Sequence, residues 1–126
     1  MEKRPARILY VEDEDLLHFL IIEELADQGF QVLSAWNGDE AIGIINNGVP
    51  FDVLVTDVRM PGSANGIDVA KYVRTHHPEC PIIIVSGYFG DTGEDVRNLM
   101  PPVVFQPKPY RLTELVDCIR QMTTTR

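Results

Sequence analysis

The chain has 126 residues, 44% of them hydrophobic and 24% charged. That is one ordinary globular domain with enough chain to bury a real core and no room for a second. Its 11 Lys+Arg against 19 Asp+Glu leave a formal charge of −8, the wrong sign for holding a nucleic-acid backbone or an anionic membrane by counterion release. Cys80 and Cys118 form neither a C-x-x-C pair nor a Cys/His cluster, and neither a signal peptide nor a bilayer-length apolar run occurs, so the sequence reads as cytoplasmic and reduced.

Short β-branched runs alternate with longer amphipathic stretches along the chain. Ile8-Leu9-Tyr10-Val11 predicts a strand and Leu16 through Leu25 a helix; Val32-Leu33 predicts the next strand and Glu40 to Ile45 the next helix. The pattern continues with Val53-Leu54-Val55 and a helix from Gly66 to Thr75, then Ile82-Ile83-Ile84-Val85 and a short helix near Asp95 to Met100. Val103-Val104-Phe105 is the last strand, and Leu112 to Met122 the last helix. Runs that are apolar without alternation are buried on both faces, as in a parallel sheet with helices packed on each side, so the expected fold is a doubly wound α/β domain of five strands and five helices. Gly29, Gly48-Val49-Pro50, Pro61-Gly62, Pro78 and Pro101-Pro102 punctuate the joins. If Leu17, Leu20, Ile21 and Leu25 of the first helix face the sheet, Phe19 and Ile22 fall on or near its opposite side. His18, His76 and His77 read as surface or helix-end residues, and the two cysteines as inert small hydrophobes.

In an open parallel sheet ligands bind beyond the carboxyl ends of the strands. The first strand ends in Glu12-Asp13, the third in Thr56-Asp57 and the fourth in Ser86-Gly87, and the fifth leads through Phe105-Gln106-Pro107 to Lys108-Pro109. Each of these alone is commonly a helix cap or turn former. Together they are harder to dismiss, because two carboxylates ~4 Å apart repel by roughly 4 kcal/mol at an effective dielectric near 20, and Lys108 cannot neutralise three. A sparse set of oxygen ligands suits Mg2+, which also bridges to phosphoryl oxygens. With that charge screened, a carboxylate can attack a phosphoryl group and form an acyl phosphate. Asp57 is the central candidate, with its phosphoryl oxygens shared among Mg2+, Lys108, the Ser86 hydroxyl and backbone N–H groups after the third strand.

These residues resemble the receiver domain of two-component response regulators across essentially residues 1–126. The resemblance rests on I-L-Y-V-E-D-E (8 to 14), V-L-V-T-D-V-R-M-P-G (53 to 62), Gly66, I-I-I-V-S-G-Y (82 to 88) and F-Q-P-K-P-Y (105 to 110). It implies a flavodoxin-like five-stranded parallel sheet of order 2-1-3-4-5. It further implies Asp57 as phosphoacceptor, Glu12 and Asp13 as the acidic pair, the Arg59 backbone carbonyl as a further Mg2+ ligand, Ser86 as hydroxyl switch, Lys108 as phosphoryl partner, and a cis Lys108–Pro109 peptide. The donor implied is a sensor histidine kinase or a histidine phosphotransfer protein. The output implied is a downstream protein target or a self-dimer through the face formed by Asp95 to Met100, Val103 to Phe105 and Leu112 to Met122.

Several positions depart from the commonest family pattern. Glu12 stands where many relatives carry Asp, so its longer side chain is read as reaching the metal through water. The loop from Met60 to Gly66 looks one residue longer than usual, and Gly87 follows the switch hydroxyl where Ala is frequent. Phe105 holds the aromatic switch position without a hydroxyl. Tyr88, two residues after Ser86, either shields the acyl phosphate from water or simply faces solvent. A haloacid dehalogenase type phosphohydrolase would want an Asp where Arg59 stands. Intact Asp13, Asp57, Ser86 and Lys108 argue against an unphosphorylated pseudo-receiver. The reading is a stand-alone receiver that catalyses only its own phosphorylation and dephosphorylation. A module excised from a hybrid kinase or a larger regulator is the open alternative.

Overall fold

Each apolar run becomes a strand covered on both faces. The computed structural model describes residues 5–60, 62–86, 103–108 and 110–124. Its elements are β1 Arg7–Val11, α1 Asp15–Asp27, β2 Gln31–Ala35, α2 Gly38–Asn46, β3 Val53–Asp57, α3 Gly66–His76, β4 Ile82–Ser86, β5 Val104–Pro107 and α4 Leu112–Thr124. The expectations for Gly87, Tyr88, the short helix near 95–100 and the Lys108–Pro109 peptide lie outside the described residues.

All strand pairs are parallel and the order is β2-β1-β3-β4-β5, as the family resemblance implies. Successive residues of β1 serve opposite faces. Leu9 and Val11 pack with Ala41 and Ile45 of α2 and Val69, Ala70 and Val73 of α3. Ile8 and Tyr10 pack with Ile21 and Leu25 of α1 and Leu115, Val116 and Ile119 of α4. This alternation is why the strand sequence lacks polar positions: neither face meets water. Local signals set the helix starts. Asn37 accepts a hydrogen bond from the Glu40 N–H at 2.8 Å, and Asn65 and Asp68 form a reciprocal capping box at the head of α3.

Two expectations for α1 are corrected. Leu20 does not face the sheet but is 54% exposed, and His18 is not a surface residue but 1% exposed. At 3.6 residues per turn, a sheet-facing stripe centred between Leu17, Ile21 and Leu25 draws in His18 and turns Leu20 outward. Ile22 is half-buried, while Phe19 lies outward as expected, 61% exposed.

The register places the chemistry. Val11 of β1 pairs with Thr56 of β3, so the residues that follow, Glu12 and Asp57, lie together at the carboxyl edge. Gly66 pins α3 to this edge: its N–H donates to the Val58 carbonyl at 2.9 Å, and a Cβ there would lie 1.8 Å from the Asp57 carbonyl oxygen. Gly66→Ala is therefore expected to cost ~3 kcal/mol in urea unfolding, at the upper end for overpacking. Gly43→Ala, in α2 where a Cβ meets nothing within 4 Å, is expected to stabilise by ~0.5–1 kcal/mol.

Candidate functional site

Asp57 closes β3 with both carboxylate oxygens engaged. Oδ1 accepts the Val58 N–H at 2.7 Å, and Oδ2 receives the Lys108 ammonium at 2.8 Å. The neighbouring Thr56, fully buried, donates its hydroxyl to the Asp57 carbonyl at 2.9 Å. Glu12 leaves β1 with its N–H donated to the Ala35 carbonyl at 3.1 Å. Its carboxylate turns back to accept the Glu14 N–H at 3.2 Å, and the residue is only 3% exposed. Asp13 is exposed. One carboxylate oxygen from each of Glu12, Asp13 and Asp57 lies within 4.8 Å of the others.

Such crowding perturbs its members. Burial pushes the Glu12 carboxyl up to about 7; the Asp57 and Asp13 charges add to this, while the Glu14 N–H and Lys108 oppose it. For Lys108, burial lowers the pKa, but the hydrogen bond and charge of Asp57, helped by Glu12 and Glu14, outweigh it and the net direction is up. Burial and the Glu12 charge raise Tyr10 as well, and burial with Glu12 and Asp57 pushes Tyr110 up to about 12. Three acidic groups, one of them buried, face the single ammonium of Lys108 among the described residues of the cluster. A donor set made only of carboxylate oxygens with this excess of negative charge fits a hard divalent cation such as Mg2+.

The structure thus brings Glu12, Asp13, Asp57 and Lys108 together, as the strand-end reading expects. Glu12 has its carboxylate in the same group as the other two. Ser86 ends β4, level with Pro107 of β5. Arg59 is two residues past Asp57 and exposed. Phe105 pairs with Ile84 in the sheet and its half-buried ring packs on the α2–α3 side of the core.

Sequence reasoning missed His18 and Trp36. The His18 Nδ1 lies 2.7 Å from the Glu12 carbonyl oxygen, and its ring stacks on Trp36 with centroids 3.7 Å apart and planes 7° from parallel. The helical stripe through Leu17 and Ile21 was the signal that could have found His18. Beside the site, a groove of about 680 Å3 runs between α1 and the start of α4. Leu17, Leu20 and Leu112 line it together with Glu23, Glu24 and Asp27, and it reaches Lys108.

Comparison with known proteins agrees with this geometry. The sequence matches the response regulator receiver domain over residues 8–120. A response regulator receiver protein from Sinorhizobium medicae superposes with a TM-score of 0.85 at 29% identity, with 95% of each chain covered. The response regulator TrrA from Thermotoga maritima, solved with Mg2+ and BeF, gives 0.79 at 27% identity over 93% of this chain and 98% of that one. The sensor kinase CckA of Brucella abortus is 35% identical over 120 residues, 93% of this chain and 12% of its own. The chain spans about half the length, or less, of curated relatives that it matches.

A parallel five-stranded sheet with an acidic cluster and a lysine at its carboxyl edge defines a phosphoacceptor receiver of two-component signalling. The chain belongs to the response regulator receiver domain family.

The charge crowding has a measurable cost. Asp13→Asn is expected to raise the stability of the metal-free protein by ~1 kcal/mol, a small figure because Asp13 is solvent-screened. Mg2+ is expected to stabilise the native chain, by up to ~2.7 kcal/mol at a hundredfold excess over its Kd, and the variant distinctly less. Urea unfolding with and without Mg2+ measures both.

Proposed function

We propose that Asp57 is the phosphoacceptor and that Glu12, Asp13, Asp57 and the Arg59 backbone carbonyl hold Mg2+ beside it. The observation that carries this reading is the 2.8 Å pair between Lys108 and Asp57 within an acidic group too crowded for one ammonium to neutralise. An Asp57 carboxylate oxygen attacks the phosphorus of a phosphohistidine, the P–N bond breaks with its electron pair passing to the imidazole, and an acyl phosphate forms on Asp57. Lys108 and the N–H groups after β3 accept the charge that develops on the phosphoryl oxygens. Bound Mg2+ supplies further neutralisation of those oxygens. Hydrolysis of the acyl phosphate restores the carboxylate, so the only reaction catalysed is on the protein itself. The relative TrrA, solved with Mg2+ and BeF, supports the same ligand chemistry here.

In this reading residues 1–126 act as one cytoplasmic receiver. Phosphorylation engages the Ser86 hydroxyl, the Phe105 ring follows, and the face of β5 and α4 changes its affinity for a downstream protein or a second copy. The described residues contain no helix long and apolar enough to cross a membrane.

The donor is a sensor histidine kinase or histidine phosphotransfer protein, and we place its docking helix on α1. Leu16, Phe19 and Leu20 are 69%, 61% and 54% exposed, a contiguous apolar surface beside the acidic groove that leads to Lys108. An apolar stripe flanked by basic residues is the complementary surface.

Two experiments test these assignments. Incubation with a small phosphodonor and Mg2+, read by intact mass, is expected to add one phosphoryl group to the native chain and none to Asp57→Asn; labelling of the variant would move the site elsewhere. Leu16→Asp, on the same exposed surface but outside the aromatic cluster, is expected to slow transfer from a protein donor by about tenfold and to leave small-donor labelling unchanged. Equal losses in both assays would rule out docking on this face of α1.

A further inference from the structure

The loop that carries the acidic pair is held by one histidine from two directions. The His18 N–H donates to the Glu14 carbonyl at 2.8 Å, the first turn of α1, while its side-chain Nδ1 meets the Glu12 carbonyl at 2.7 Å. A carbonyl oxygen only accepts, so the hydrogen in the second bond sits on Nδ1. The two carbonyls flank Asp13. On its other side Glu12 is tied to β2 through its N–H and the Ala35 carbonyl, 3.1 Å. The peptide groups on either side of Glu12 are therefore fixed, one by the sheet and one by His18, and the second of them leads directly into Asp13.

The imidazole is itself clamped. It is 1% exposed, lies flat on the Trp36 ring at 3.7 Å and contacts Tyr10 and Phe19 with centroids 5.8 Å away. A ring caught between aromatic neighbours cannot swing away without losing packing on several sides. Ligand-bearing segments with fixed backbone hold their carboxylates ready, and loss of such outer partners typically weakens metal binding by 10–100-fold.

We propose that His18 is a positioning residue for the acidic pair: through its Nδ1–H on the Glu12 carbonyl it orients the peptide between Glu12 and Asp13, and through its stack it links that peptide to Trp36. The inference rests on the reading that this acidic group binds Mg2+. It also makes Trp36, the single tryptophan of the chain, an optical reporter of metal binding at a site its own side chain does not join.

The test is a Mg2+ titration followed by calorimetry and by tryptophan emission. In the native chain, Trp36 emission is expected to change along the calorimetric isotherm. His18→Phe keeps an aromatic ring beside Trp36 but removes the donor, and is expected to weaken Mg2+ binding by about tenfold or more. His18→Asn places an amide N–H near the Nδ1 position without the ring and is expected to recover most of the affinity while losing the emission response. A folded His18→Phe that binds Mg2+ as tightly as the native chain overturns the proposal, as does a His18→Asn no better than His18→Phe. Should His18→Phe fail to fold, native affinity in His18→Asn upholds the donor role and a tenfold loss overturns it. Native protein that binds Mg2+ by calorimetry with unchanged Trp36 emission refutes the link to Trp36 alone. Native protein that binds no Mg2+ sinks the metal reading and this inference with it.

Discussion

Glu12, Asp13 and Asp57 are held within ion-sharing distance by the pairing of β1 with β3, and the rest of the molecule is arranged around that enforced proximity of like charges. The core fixes it: both strands are buried on two faces, so neither can slip to separate the carboxylates without moving an entire apolar set to the wrong side. Repulsion that would scatter such groups on a flexible loop is contained here by the sheet. What partly offsets it is Lys108, which directly follows β5, two strands away from β3. With neighbouring strands ~4.8 Å apart, a four-carbon stem is needed to bring the ammonium across to Asp57.

The same enforced crowding connects stability to function. Burial, with the Asp57 and Asp13 charges adding to it, raises the Glu12 carboxyl, so holding all three carboxylates ionised at this edge costs the metal-free fold free energy. Any divalent ion or phosphoryl group arriving at the edge alters a balance already under tension. Asp57 is suited to the central role because both its oxygens are oriented before anything binds, one by the Val58 N–H and the other by Lys108. Preorganised donors of this kind need no rearrangement as charge develops. Gly66 contributes in the same sense, since only a residue without a Cβ lets α3 approach the Asp57 carbonyl so closely.

Much of this was readable from the amino acids. Ile8 to Val11, Val53 to Val55 and Ile82 to Val85 are apolar without interruption, and that pattern leaves few alternatives to a parallel sheet. The polar residues that end those runs then had to meet at one edge, although Lys108 lies 51 residues beyond Asp57 in the chain. Boundaries were less legible: β2 extends to Ala35, past the short Val32-Leu33 signal, and α2 begins at Gly38 because Asn37 caps it. On α1 leucine alone does not mark the core face, since Leu25 is fully buried and Leu16 and Leu20 are exposed. Leu20 is outside while His18 is inside, its ring satisfied by the Glu12 carbonyl and the Trp36 face. Periodicity finds a buried stripe only when a polar residue inside it is allowed to count, and the partners that make burial of this histidine tolerable, Glu12 and Trp36, lie outside α1 and are invisible to its local pattern.

The central claim is that the edge holds an excess of negative charge for which Lys108 and a divalent ion compete. The most direct measurement is a calorimetric Mg2+ titration of the native chain beside Lys108→Ala. If the account is right, removing the ammonium leaves the carboxylates in place with less positive charge nearby, and Mg2+ binds more tightly. Weaker binding in a folded Lys108→Ala would contradict it.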